Sequence, residues 1–270
     1  MKGGETISST DLSVFCGGKG LNQSVAAARA GASVFHAGMI GKDGEILKKE
    51  LIASGVDVRY LRQSEGVSGH AIIQVDSGGQ NSIIINAGAN ALISEEYIDE
   101  TMGLIEEGDI VLTQNEISNI SYIIKSAHDK GACIAFNPSP VTSEIVEYPL
   151  DFVDILILNE IEGSVICNCS NADEILNHLE RRFPNAELVL TLGEEGAWHS
   201  KNGIRLHQEI FKVPVVDTTA AGDTFTGYFI AGRIMGLNAQ KSIERASLAS
   251  SITVSRRGAA QSIPLLGELY

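Results

Sequence analysis

Apolar positions along this 270-residue chain recur with two periods, and the two alternate. Runs of β-branched and large aliphatic residues predict strands at 33–40, 56–61, 109–113, 132–136, 153–158, 188–192 and 209–216, with a short β segment near 197–199. Apolar residues three and four apart predict helices at 24–30, 43–54, 95–106, 118–130, 160–166, 171–183, 224–235 and 239–254. Gly31 and Gly55 stop the first two. In the second, Ile46, Leu47, Leu51 and Ile52 are expected to face inward. Residues 70–75 and 81–86 flank Asp76-Ser77-Gly78-Gly79, a hairpin signal that interrupts the alternation and so projects from the main sheet. The opening residues 1–15 alternate weakly at Ile7, Leu12 and Val14, as part of an edge strand would.

Strands alternating with helices predict a three-layer α/β/α arrangement: a mostly parallel sheet with helices on both faces. The length suits one large α/β domain, or one with a small appendage. Ligands of such sheets sit beyond the carboxyl ends of the strands. The residues there are Asn115 and Glu116, Asn137 and Pro138, Asn159, Glu160 and Glu162, Thr191, Gly193 and Gly196, and Asp217 through Asp223.

The stretch 213–227 carries the most chemistry. Its apolar run ends at Asp217, small residues follow, and Phe225, Tyr228, Phe229 and Ile234 then keep helical spacing. A helix is expected to begin at or just after Asp223. Its first amides lack carbonyl partners and carry the positive end of the helix dipole, which suits an anion. Ala220, Ala221 and Gly222 have little side chain to block it. Asp223 has two readings: an N-cap for those amides, or a base that deprotonates a hydroxyl beside a held phosphoryl group. Spacing does not choose between them. Likewise Gly17-Gly18-Lys19-Gly20 is either a tight turn or a close approach to a ligand, and Asn159 with Glu162 has capping-box spacing.

Hydrophobic residues make up 44% of the chain, ample for a core, yet no apolar run approaches a membrane span. No targeting segment is visible, so a cytoplasmic protein is expected. A net charge of −14 excludes nucleic acid as a partner, since its backbone needs a basic footprint. A small anion remains possible wherever helix termini or a metal supply local positive potential. Cys16, Cys133, Cys167 and Cys169 make no CxxC pair, against structural zinc. Cys133 reads as a core residue, and Cys167 with Cys169 as reduced thiols or a redox pair. His70, His128 and His207 read as surface or packing residues.

Gly17-Gly18-Lys19-Gly20-Leu21-Asn22-Gln23, Asn86-Ala87-Gly88-Ala89-Asn90, Asn137-Pro138-Ser139-Pro140, Asn159-Glu160-Ile161-Glu162, Thr191-Leu192-Gly193 and Asp217-Thr218-Thr219-Ala220-Ala221-Gly222-Asp223 occur in one order. In that order they resemble the ribokinase-like branch of the PfkB family of carbohydrate kinases over nearly the whole chain. The resemblance implies one ribokinase-like kinase domain over 1–270, with a small β lid near 5–16 and 69–86. It implies ATP-dependent phosphorylation of D-ribose at its 5-hydroxyl. Asp223 would be the base, and the amides of Ala220, Ala221 and Gly222 the anion hole. Gly18, Lys19, Gly20, Asn22 and Glu116 would bind the sugar. Asn159 and Glu162 would hold Mg²⁺ through water. Thr191, Gly193, Gly196 and Ser247 would face the nucleotide. Asp217, Thr219, Thr253, Arg256, Gly258 and Ser262 would surround K⁺. A homodimer through the lid would follow.

The resemblance departs at the ends. Chains of this branch begin with a core strand closing in Asn-x-Asp, whose aspartate binds the sugar, whereas Met1–Thr6 resembles the segment after it. A sheet with an exposed edge is therefore expected, and a last helix clipped after Leu269. Alternatives are another PfkB-type sugar or nucleoside kinase, or a non-catalytic nucleotide-binding relative.

Overall fold

The computed structural model describes residues 6, 8–75 and 81–270. In chain order the elements are α1 (Lys19–Arg29), β1 (Gly38–Ile40), α2 (Glu45–Ala53), β2 (Leu61–Gln63), β3 (His70–Val75), β4 (Asn81–Asn86), α3 (Glu95–Met102) and β5 (Ile110–Gln114). Then come α4 (Ile120–Asp129), β6 (Cys133–Asn137), β7 (Ile155–Asn159), α5 (Glu160–Cys167), α6 (Ala172–Arg182), β8 (Glu187–Thr191), β9 (Ala197–Lys201), β10 (Ile204–Gln208), α7 (Ala221–Ile234) and α8 (Ala239–Val254). Short 3₁₀ turns fill several connections.

Strands β5 to β8 pair in parallel, and β9 and β10 add antiparallel pairs at one edge. Successive residues of a strand point to opposite faces, and here both faces are covered. Leu156 and Leu158 of β7 pack into a cluster with α3, α4, α5 and α6. Ile155 and Ile157, one residue out of phase, join α1, α2, α7 and α8. That is why β7 reads as a continuous aliphatic run rather than an alternating one.

Two pieces stand apart from this sheet. Among the described residues β1 pairs only with β2, and β3 only with β4. Among the described residues β5 is an edge, and β1 and β5 line one cavity of about 3070 Å³ that runs to the carboxyl end of the main sheet. The hairpin is rooted by close backbone approach: a Cβ on Gly41 would lie 2.3 Å from the Val67 carbonyl carbon, and one on Gly88 2.3 Å from the Ser68 carbonyl oxygen. Buried Ser68 ties the root down, its hydroxyl donating to Asp43 and accepting from the Gly41 amide.

Several sequence expectations move. The run 209–216 is not a strand; Val215 and Val216 are exposed, Pro214 offers no amide, and Val216 and Asp217 instead donate to the Val254 carbonyl. The outer strand lies earlier, at 204–208. α1 begins five residues before its expected start, because Gly18 makes the whole turn at φ 112° and lets Lys19 and Gly20 join the helix. The expected strand at 33–40 shortens to β1, and the one at 56–61 gives way to β2 at 61–63, which shares only Leu61 with it. Residues 8–15 form no strand, and residues 1–5, 7 and 76–80, which include the hairpin tip, lie outside the described ones. Ile46 and Ile52 are each 53% exposed, so only Leu47 and Leu51 serve the core.

α1 and α7 meet at Gly227, where a Cβ would sit 2.5 Å from Ala26 Cβ and 2.7 Å from the Gln23 carbonyl oxygen. Neither backbone can give way without moving its helix. Gly227→Ala should therefore cost about 1–3 kcal/mol in urea unfolding. Gly267→Ala, where a Cβ meets nothing within 4 Å, should stay within about 0.5 kcal/mol.

Candidate active site

α7 starts two residues before Asp223. Ala220 takes the left-handed conformation at φ 62° and turns the chain into the helix. Non-glycine residues seldom accept that conformation, and alanine is small enough to do so. Asp223 then lies in the first turn, buried, and its side chain makes no capping bond to α7. The N-cap reading fails because α1 supplies better donors. The Asn22 amide group donates to Asp223 Oδ2 at 2.9 Å and the Gln23 amide group to Oδ1 at 2.9 Å. The backbone amides of Ala220, Gly222 and Asp223 find no acceptor among the described residues, while that of Ala221 reaches the Thr218 carbonyl at 3.3 Å. A carboxylate and unpaired amides therefore sit on the same turn. Gly222 is exposed beside them, and a Cβ there meets nothing within 4 Å.

The glycine turn faces this carboxylate across the cavity. Gly18, Lys19, Gly20, Asn22, Glu116 and Asp223 all line it. The Lys19 amide donates to Glu116 Oε2 at 2.8 Å, joining the start of α1 to the end of β5. Burial pushes the Glu116 carboxyl above the usual glutamate range, against the pull of the Lys19 amide and charge, and the Asp223 charge adds to the rise. Asn22 Oδ1 is buried and has no partner. A buried acceptor without a donor costs free energy, so this oxygen is suited to a ligand hydroxyl.

The nucleotide-side candidates occupy the ends of β7 and β8 and the face of α8, outside that cavity. Asn159 and Glu162 form a full capping box: the Asn159 amide donates to Glu162 Oε2 and its side chain to Oε1, each at 2.9 Å, and the Glu162 amide donates back to Asn159 Oδ1 at 2.9 Å. Thr191 pairs with Asn159 across the two strands. Gly193 and Gly196 both have positive φ, and a Cβ on Gly196 would strike the Gln208 carbonyl oxygen at 2.1 Å. Ser247 is buried on α8, and the nearby Ser250 hydroxyl donates to the Ala221 carbonyl at 3.0 Å.

At the base of the loop, Asp217 accepts from the Thr219 amide at 2.9 Å and the Gly258 amide at 3.1 Å. Partial burial would raise its carboxyl, but these hydrogen bonds and the nearby Arg257 charge outweigh it and hold it below the usual range. Asp217 makes no ion pair among the described residues. Three other members of the expected cation group have side chains engaged elsewhere: Thr253 with the Thr224 hydroxyl, Ser262 with the Ala259 carbonyl, and Arg256 with Glu268. The carbonyls of Thr253, Arg256 and Gly258 are candidate donors to an ion, and the Ser262 hydroxyl, which spends its hydrogen on Ala259, keeps its oxygen lone pairs. No cluster of three or more His, Cys, Asp or Glu side chains that could hold a metal occurs among the described residues.

Cys133 and Cys167 have thiols that burial pushes up to about 11, against redox reactivity. His128 stacks on Phe152 and His207 packs on Trp198, as packing residues do. Residues not singled out from sequence complete the site. Gln23, Gln114 and Asn137 form a polar chain behind Asp223. A glutamine at helical spacing from Ala26, Ala27 and Ala30 was the available signal, since a polar residue on that apolar face must find buried partners.

A family model described as pfkB family carbohydrate kinase matches residues 2–266. The ribokinase of Haemophilus influenzae is 33% identical over 272 residues, covering 97% of this chain and 89% of that protein. The solved ribokinase of Thermotoga maritima superposes with a TM-score of 0.86 at 31% identity, covering 99% of this chain and 91% of that one. The structure of Arabidopsis thaliana ribokinase complexed with ribose and ATP gives a TM-score of 0.85 at 29% identity, covering 99% and 90%. With its ribokinase-like three-layer fold and a family match over almost its full length, the chain belongs to the PfkB family of carbohydrate kinases.

Proposed function

We propose that this chain transfers the γ-phosphoryl group of ATP to the 5-hydroxyl of D-ribose, with residues 1–270 working as one kinase unit. The observation that carries the reading is Asp223. Its carboxylate is buried, opens on the same cavity as the glycine turn, and shares its helical turn with unpaired amides. In this reading Asp223 takes the proton of the sugar hydroxyl. The Gly222 amide and its neighbours, at the positive end of α7, receive the charge that builds on the phosphoryl oxygens. The Gly18–Gly20 turn, Glu116 and the free Asn22 Oδ1 hold the sugar. ATP lies along Thr191, Gly193, Gly196 and Ser247. Relatives named ribokinase, and one solved with ribose and ATP, support the choice of sugar and donor.

Two ions fit to different degrees. Both Glu162 oxygens already accept from Asn159, so Mg²⁺ suits this pair only through its water shell, as a small, strongly hydrated ion prefers. The ion would neutralise charge on the nucleotide phosphates. Asp217, ionised and without an ion pair, with Thr219 and the carbonyls of Thr253, Arg256 and Gly258 and the adjacent Ser262, suits K⁺. The ion would place positive charge under the anion-binding loop.

The lid supports a further part of the reading. Its strands carry Ile72, Ile73, Ile83, Ile84 and Ile85, each about half exposed. Ile72, Ile73, Ile83 and Ile85 line the cavity, and of these five Ile84 alone lies outside it. In our reading a second copy of the chain covers that outer face.

Three outcomes test these points. Asp223→Asn should lower kcat for D-ribose about 10²- to 10⁴-fold in a coupled ADP assay while ATP still binds; unchanged turnover, or a wild-type preference for another sugar or a nucleoside, would overturn the assignment. The ionised Glu116 carboxylate is the better hydroxyl acceptor, so ribose affinity should fall as pH drops through its raised pKa, starting at a higher pH than an ordinary glutamate would set. Glu116→Gln should weaken ribose binding about tenfold at pH 7 and flatten that dependence in calorimetry. Finally, sedimentation should show a dimer that Ile84→Lys converts to a monomer.

A further inference from the structure

The polar chain behind Asp223 has a direction. The Ile157 carbonyl of β7 can only accept, so the side-chain NH₂ of Asn137 must point to it, at 2.9 Å. That leaves Asn137 Oδ1 facing Gln23, which must meet it with its own NH₂, at 3.1 Å. The same NH₂ donates its second hydrogen to Asp223 Oδ1 at 2.9 Å. Gln23 Oε1 then has to face the other way, where it accepts from the Gln114 side chain at 2.7 Å. Gln23 is fully buried, and every donor and acceptor of its carboxamide is used. A main-chain carbonyl of the central sheet thus fixes the orientation of each amide out to the carboxylate.

Resting on the kinase reading above, we propose that Gln23 is the positioning residue for Asp223: it touches no substrate but locks the rotamer of the base through Oδ1. The Asn22 side chain holds the other oxygen, so the carboxylate is gripped from both sides by neutral donors of one helix. Neither contact brings a positive charge, and the carboxylate keeps its remaining lone pairs toward the cavity. The sugar is bound by other groups, so loss of Gln23 disturbs the base without removing a substrate contact.

Gln23→Met keeps length and volume but removes the carboxamide. In steady-state assays of folded enzyme with D-ribose and ATP, kcat should fall about 10- to 100-fold, the loss expected when a reacting group is displaced by about 1 Å. Both KM values should stay within about threefold. Gln114→Met, which frees only the Gln23 carbonyl, should lower kcat about three- to tenfold with the same split, and the double variant should fall short of the product of the two effects, as for members of one network. A crystal structure of Gln23→Met should show the Asp223 carboxylate turned from its wild-type rotamer. Unchanged kcat in folded Gln23→Met, KM rising in step with the loss, or an unmoved Asp223 carboxylate would each overturn the proposal. If Gln23→Met does not fold, Gln114→Met carries the same test. If wild-type enzyme turns over no sugar at all, the kinase reading fails separately, and the Asp223 rotamer still decides the role of Gln23.

Discussion

The contact on which this site depends is the close crossing of α1 over α7. Gly227 lets the two backbones approach until a single methyl group would collide with both Ala26 and the Gln23 carbonyl. At that distance the side chains of Asn22 and Gln23 reach the carboxylate one turn earlier on α7. Asp223 sits about two hundred residues away from them in sequence, so only a tight helix–helix interface can hold the three groups to hydrogen-bond tolerance. Around this crossing small and aromatic residues belong to one core cluster: Ala26 and Ala30 of α1, and Phe225, Tyr228 and Phe229 of α7. Packing and chemistry therefore share the same residues.

The rest of the fold serves this crossing from a distance. β7 and β8 end beside each other with Asn159 and Thr191, while β5 ends at Gln114 and Glu116, which reach back to α1. The polar groups that converge there are neutral amides, backbone amides and carboxylates. A protein of net charge −14 thus presents unpaired main-chain dipoles at this turn. Unpaired amides at the start of α7 add local positive potential beside Lys19 and Arg257, which also line the cavity.

Much of this was legible along the chain, for reasons that can be named. Strands buried on both faces read as aliphatic runs, and β5 to β8 were found within two residues. α8 was found to the residue, because Asn238 caps it and its apolar face is regular. The hairpin strands β3 and β4 were also found to the residue. The run 209–216 misled because β-branched residues beside a proline look like a strand whether or not a neighbour exists to pair with it. Residues 204–208 pair with β9 despite a more polar sequence, and only the sheet could show that. α1 was cut short because the glycines at 17, 18 and 20 lower helical expectation, while one glycine at positive φ completes the turn alone. At the candidate site, residue types near strand ends pointed to the carboxyl edge of the sheet, where Glu116 and Asp223 line one cavity. The choice between capping and base for Asp223 rested on which groups face it, and that is tertiary information. Gln23 was hidden for the same reason.

The gap between β1 and β5 has a mechanical consequence. No ladder bond crosses it among the described residues, so the β1–β2 pair and the hairpin rooted on Ser68 are not stiffened by the large sheet. α3 holds the β1–β2 pair through the Tyr97 phenol, which lies within hydrogen-bond reach of the Gly38 and Tyr60 carbonyls, and through the Arg62–Glu100 ion pair. Swinging that unit over the cavity would strain these side-chain contacts and leave the ladder of the large sheet untouched.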